Sequence, residues 1–153
     1  MTNKRITNDL KRHVYKRAKA CCEYCLSQAR YSTQSFSVDH IIPISKGGDC
    51  SLDNLALSCQ GCNSHKYNKI IAIDPLTYTD VPIFNPRINK WIDHFHWSYD
   101  YTVILGITKI GRATVEALKL NRNGLINLRK LLFKEGEHPP FLRTNKTALP
   151  LDD

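Results

Sequence analysis

Two short cysteine pairs, Cys22-x2-Cys25 and Cys59-x2-Cys62, constrain this chain more than any other feature. A two-residue gap lets a tight turn aim both thiolates at one point. Two such knuckles complete the tetrahedral four-sulfur shell that Zn2+ takes in closed, structural sites. The 33 residues between the pairs exceed the insert of a small zinc finger, so further structure must sit between the knuckles. A closed shell leaves no open position, so the spacing predicts a zinc ion that supports folding and does no chemistry. Cys21 offers an alternative first ligand with a three-residue gap; Cys22 is preferred because both knuckles then match. Cys50 has no CxxC partner and reads as a free thiol.

That reading requires reduced cysteines. The first twenty residues are basic, with no continuous apolar stretch behind them, so no signal peptide is expected and a cytoplasmic location follows as the expectation. No apolar run approaches the roughly 18 residues of a membrane span, so no membrane partner is expected. A chain of 153 residues with 42% hydrophobic content suits one domain, or a domain with an appendage. The net charge of +8 favours a polyanionic partner. Residues 1–30 hold eight Lys or Arg against Asp9 and Glu23, and residues 109–134 hold seven against Glu116. These segments read either as a nucleic-acid footprint or as two solvated helix faces.

Periodicity places the motifs. After a frayed start over residues 1–7, Asn8 or Asp9 caps a basic helix to about Ala20, with Leu10, Val14 and Ala18 on its apolar side. FSVDHIIPI reads as a strand interrupted by Pro43, SKGGDCSLDN as a loop, LALS as a second strand, and CQGCNSHKYNK as a short helix. DPLTYTDVPIFNPR, with three prolines, reads as extended or looped. WIDHFHWSYDYTVILGIT reads as a hairpin turning near residues 98–100. Thr108 caps a helix to Arg122, Asn123 and Gly124 break it, and residues 125–134 are helical again. An irregular tail starts at Gly136. The class is α+β: a strand–loop–strand–helix core over residues 1–73 with its basic helix, and a hairpin-plus-helix extension over 74–153 packed on it.

The insert carries the chemistry. Hydrolysing a phosphodiester needs an activated water, a counter-charge and help for the leaving oxygen. His40 suits the base, since an unperturbed imidazole titrates near about 6.5 and is largely neutral at neutral pH. Asp39 and Asn63 offer hard oxygen ligands for Mg2+ or Mn2+. Asn63 follows Cys62 directly, so the zinc knuckle would fix its position. Asn54 can bond backbone on both sides of the loop, and Gly47 and Gly48 let that loop turn and approach closely. Lys66, Lys69 and His65 lie on or after the helix, where they would meet phosphates. Adjacent strand residues point to opposite faces, so Asp39 and His40 can share a site only if the strand ends or bends there.

CEYC, VDHIIPISKGG and DNLALSCQGCNSHK together resemble the HNH endonucleases of the ββα-metal superfamily, in the subgroup with two zinc knuckles. The resemblance runs over residues 22–69. It implies His40 as general base, Asn54 as loop brace, and Asp39 with Asn63 as ligands of one catalytic Mg2+. Asn stands where the family's name has its last His. The resemblance further implies DNA hydrolysis in preference to RNA, leaving 5′-phosphate and 3′-hydroxyl ends. In the extension, Arg87, Trp91, His94, His96 and Trp97 are candidates for phosphate or base contacts. The alternative is that Trp91, Phe95 and Trp97 pack the hairpin against the core. A non-catalytic zinc-ribbon nucleic-acid-binding module would explain the cysteines and the charge, but not Asp39, His40, Asn54 and Asn63 together. Oligomeric state is not legible.

Overall fold

The computed structural model describes residues 5–140. Most of the expected frayed start (residues 1–4) and most of the expected irregular tail (141–153) lie outside them.

Helix α1, Asn8–Arg17, begins one residue ahead of the expected caps. Thr7 is extended, and its hydroxyl accepts from the Leu10 N–H at 3.2 Å, a cap that contributes about 1 kcal/mol. The helix stops at Arg17, short of Ala20, because Lys19 and Ala20 take positive φ of 54° and 57°. Val14 and Ala18 pack with Leu55 and Leu57 in a small buried cluster. Arg17 donates to the carbonyls of Leu52 and Leu55 at 3.0 and 2.7 Å, so this basic residue braces the helix on the core and is not part of a free charged face.

Strands β1, Ser37–His40, and β2, Leu55–Ser58, pair antiparallel with Asp39 opposite Ala56 and His40 opposite Leu55. All four residues of β2 are buried, which is why LALS carries no charge. Helix α2, Gln60–Lys66, starts on Cys59, whose sulfur accepts from the Cys62 N–H at 3.5 Å, and ends where Tyr67 takes a φ of 50°. Strand, loop, strand and helix thus follow in the expected order.

Beyond α2, β3 (Ile71–Ile73) pairs with β4 (Asp80–Pro82), in and just before the stretch expected to be extended or looped. Asp74, fully buried, organises the turn. Its carboxylate accepts from the Leu76 and Thr77 N–H groups and the Thr77 hydroxyl, and pairs with Arg112 at 2.8 and 2.9 Å. A single helical turn, α3 (Trp91–His94), leads into the expected hairpin of β5 (Phe95–Trp97) and β6 (Ile104–Gly106). Thr108 caps α4, Lys109–Ala117, as expected, but the helix ends before Arg122 because Lys119 turns to a φ of 51°. The Asn-Gly pair opens α5, Asn123–Lys134, instead of separating two helices at Leu125.

One buried cluster gathers the four paired cysteines with Tyr24, Phe84, Phe95, Ile104, Leu118 and Leu120, so it draws on residues from both sides of position 73. No helix among the described residues is long and apolar enough to cross a membrane.

Candidate metal and catalytic site

The sulfurs of Cys22, Cys25, Cys59 and Cys62 all lie within 4.8 Å of one another, and all four residues are buried. Cys25 and Cys59 are 3.7 Å apart. A tetrahedron with Zn–S bonds of about 2.3 Å has edges of about 3.8 Å, so the donor set fits Zn2+. Hydrogen bonds from Cys22, Cys25 and Cys62 hold the Cys59 thiol far below its ordinary range, while burial holds Cys22 well above its own. Cys21 is not part of the donor set: its sulfur turns to the Lys19 carbonyl at 3.4 Å, which decides between the two adjacent cysteines.

The sequence reading missed Arg122. Its Nη2 lies 3.3 Å from the Cys59 sulfur, and both terminal nitrogens lie 3.7 Å from that of Cys62. Gly61 was the available signal. A β-carbon there would stand 2.4 Å from Arg122 Nη2, so the glycine between the paired cysteines makes room for a guanidinium.

Strand β1 ends at His40, which lets two sequence neighbours face one region. The Asp39 carboxylate curls back so that Oδ1 accepts the His40 N–H at 2.8 Å, and His40 Nδ1 lies 3.8 Å from that same oxygen. On its other side, His40 Nε2 lies 3.2 Å from the Cys50 sulfur. Cys50 is a free thiol, as expected, and it lies against the ring. The Asp39 side chain is 41% exposed and the His40 side chain 16%, so the pair sits at the surface with the carboxylate outermost.

Asn54 closes the loop between the strands. Its Oδ1 accepts from the Ile42 N–H at 2.9 Å, and its Nδ2 donates to the carbonyls of Ile42 and Asp49 at 2.9 and 2.8 Å. The Asn54 carbonyl accepts from Ile41 at 2.8 Å, extending the pairing one step past the strand. Gly48 lies so close to this knot that a β-carbon would stand 1.8 Å from the Ile42 carbonyl oxygen, and Gly47 takes a φ of 93°.

Asn63 sits in the first turn of α2, its N–H bonded to the Cys59 carbonyl at 2.9 Å. Its side-chain amide makes no hydrogen bond among the described residues, which leaves its oxygen available as a ligand.

The expected phosphate contacts divide. Lys66 is buried and does not reach outward: its Nζ donates to the carbonyls of Ile41 and His40 at 2.9 and 3.4 Å, tying α2 to the end of β1. Burial lowers its pKa, and the nearby Asp39 charge acts against that. Arg87 is likewise committed, paired with Glu23 and donating to the Leu55 carbonyl. Lys69 donates to the His65 carbonyl at 2.8 Å but is exposed, as is His65. Trp91 donates to the Tyr24 carbonyl at 2.9 Å and packs on Phe95 and Trp97, with ring centroids 5.1 and 5.5 Å away, so these aromatics fasten the hairpin to the core. His94 bonds Thr108, while His96 is exposed. In the second basic segment, Arg112, Arg122 and Arg129 all have partners inside the protein, which shrinks the charged face expected there.

Residues 22–69 match the HNH endonuclease family model. The matched HNH segment runs from the first cysteine of the tetrad to Lys69, just past α2, and contains Asp39, His40, Asn54 and Asn63. A search among curated proteins gives no match to the chain. The HNH match supports a nuclease-type, DNA-acting function in general and interaction with nucleic acid. The geometry adds that the HNH segment carries a four-sulfur group able to hold zinc.

Proposed function

We propose that this chain is a metal-dependent endonuclease that hydrolyses phosphodiester bonds in DNA, with zinc in the four-cysteine site as structural support. The observation that carries the reading is the convergence at the end of β1: a histidine beside a part-exposed carboxylate, inside an HNH segment. Asp39 and Asn63 are the residues that would hold Mg2+ or Mn2+. Bound there, such an ion supplies counter-charge to the phosphate and to the leaving oxygen.

The chain's own residues do the rest. In the tautomer whose Nε2–H donates to the Cys50 sulfur, Nδ1, on the Asp39 side, is the nitrogen that accepts a proton from water. Asn54 holds the loop that carries Cys50 in register with the strand end. Lys66 fixes the His40 and Ile41 carbonyls from beneath. His65 and Lys69 remain as exposed groups for the nucleic-acid backbone. Arg87, paired with Glu23 and bonded to the Leu55 carbonyl, supports the fold.

Supercoiled plasmid tests the proposal. The purified protein should nick or cut it with Mg2+ or Mn2+, stop with EDTA, and leave 5′-phosphate ends. His40→Ala should abolish cleavage while retaining DNA binding and the folded circular-dichroism spectrum. Cleavage by His40→Ala at the parent rate refutes the mechanism. Binding without cleavage by the parent itself supports a non-catalytic nucleic-acid-binding module.

A further inference from the structure

We propose that Arg122 and Arg129, both outside the HNH segment, are the counter-ions of the tetrathiolate centre; this rests on zinc occupying the four-cysteine site. Four thiolates and one Zn2+ sum to two negative charges, and two guanidiniums supply two positive ones. A buried charge without a counter-charge is strongly disfavoured, and Arg129 poses that problem acutely. It is 4% exposed. Its hydrogen bonds go to neutral oxygens: the Thr102 carbonyl at 2.8 Å, the Leu120 carbonyl at 2.7 Å and Asn121 Oδ1 at 3.1 Å. The Trp97 ring, 5.3 Å from its guanidinium carbon, adds a cation–π contact but no full charge.

Arg122 repeats the pattern at the edge of the site. Its Nη1 donates to the carbonyls of Lys119 and Leu118 at 2.9 and 3.2 Å, and its remaining contacts are the sulfurs of Cys59 and Cys62. Arg87 and Arg112 each pair with a carboxylate. Among the described residues, Arg122 and Arg129 pair with none. Arg122 lies against the Cys59 and Cys62 sulfurs, and Arg129 lines one small cavity together with Cys25.

The two arginines frame the start of α5: Arg122 is its N-cap residue, and Arg129 lies two turns in. The loaded centre therefore holds α5 to the core by charge as well as by packing. Losing the metal removes the centre whose charge the two guanidiniums balance. Trp97, against Arg129, is placed to report that change.

Zinc retention tests this without reference to cleavage. The full chain should be purified with about one zinc, and release into excess chromogenic chelator timed for the parent, Arg122→Gln, Arg122→Lys and Arg129→Met. Arg122→Gln should release zinc about 10-fold faster or more, as expected for loss of an outer partner of a metal ligand. Arg122→Lys should fall between, since it keeps the charge and loses the fork. Tryptophan fluorescence should change with the same time course as zinc release. Arg122 is half-buried at the rim, so Arg122→Gln carries the test if Arg129→Met fails to fold. If the parent holds zinc and Arg122→Gln releases it at the parent rate, the counter-ion role is wrong and the zinc site stands. A folded parent that binds no zinc overturns both.

Discussion

The Nε2 atom of His40 lies 3.2 Å from the sulfur of Cys50, while Nδ1 of the same ring faces Asp39 Oδ1 at 3.8 Å. A cysteine that the sequence left without a partner thus meets the ring proposed as the base. Cys50→Ser keeps a hydrogen-bonding group at this position and should cleave at nearly the parent rate. Cys50→Val removes it and frees the ring to rotate. Misplacing a reacting group by about an ångström costs up to about 100-fold, so Cys50→Val should lower kcat by roughly 10- to 100-fold with KM little changed. Steady-state cleavage of a defined duplex separates the two constants. Equal kcat for Val and Ser would show that the contact does not orient the ring.

Asn54 spends its whole amide on the loop, with one bond accepted and two donated. Asn54→Ala leaves the Ile42 N–H and two carbonyls without that partner. At about 1 kcal/mol per bond, the loss is about 3 kcal/mol, which for a chain of this size lowers Tm by roughly 6–12 °C. Gly48→Ala should be at least as damaging, because its β-carbon would strike the Ile42 carbonyl oxygen, which cannot move without breaking the same knot. Thermal melts of both variants check this. A Gly48→Ala protein as stable as the parent would mean that the loop is held some other way.

The parts of this fold that were legible from sequence are those where local chemistry decides. The two CxxC pairs, the Thr108 cap and the buried LALS strand each carry their own signal, and the structure has them in place. What escaped notice depends on partners distant in sequence. The β3–β4 hairpin is organised by Asp74, whose partner Arg112 lies 38 residues away, and no local pattern announces that pair. Lys66 looked like a phosphate contact because it follows Asn63 on a short helix; only the packing of α2 against β1 reveals that its ammonium is held by carbonyls. Arg122 and Arg129 counted as surface charge for the same reason. In the candidate site, the sequence offered Asp39 and His40 as neighbours but could not show their meeting, because that turns on the strand ending at His40.

Zinc removal should unmake the site without touching Asp39 or His40. Cys59 is both a tetrad member and the cap of α2, the helix that bears Asn63. Cys59→Ser should therefore lose metal, helix order and cleavage together, and added Mg2+ should not restore activity. Strong chelation of the parent should reproduce this, with refolding on re-addition of Zn2+. Circular dichroism with metal analysis is the measurement. A chelated, zinc-free protein that keeps its melting transition and its cleavage would refute a structural role for the tetrad.

Two buried groups should divide the acid stability profile into separate steps. His138 is buried against Trp97, with Nε2 2.8 Å from the Tyr101 carbonyl. Burial lowers its pKa, the Tyr101 bond opposes this, and the Arg129 charge adds to the lowering. Above the unfolded value of about 6.5, the ring is neutral in both states and contributes no pH dependence. As pH falls from there toward the depressed folded value, the unfolded chain takes up a proton that the folded chain refuses, so stability falls and then levels. Asp74 acts lower down. Hydrogen bonds from Arg112 hold its carboxyl well below the usual range, so its contribution is complete above the unfolded value of about 3.9 and is lost as pH drops further. Tm measured against pH should decline below about 6.5 in the parent, and His138→Gln, which keeps a donor for Tyr101, should flatten that step. Asp74→Asn should start lower at neutral pH and lose less below pH 4. Zinc loss in acid is common to parent and variants, so the difference between their curves isolates each group. A His138→Gln curve parallel to the parent's throughout would show that the histidine is not held neutral in the fold.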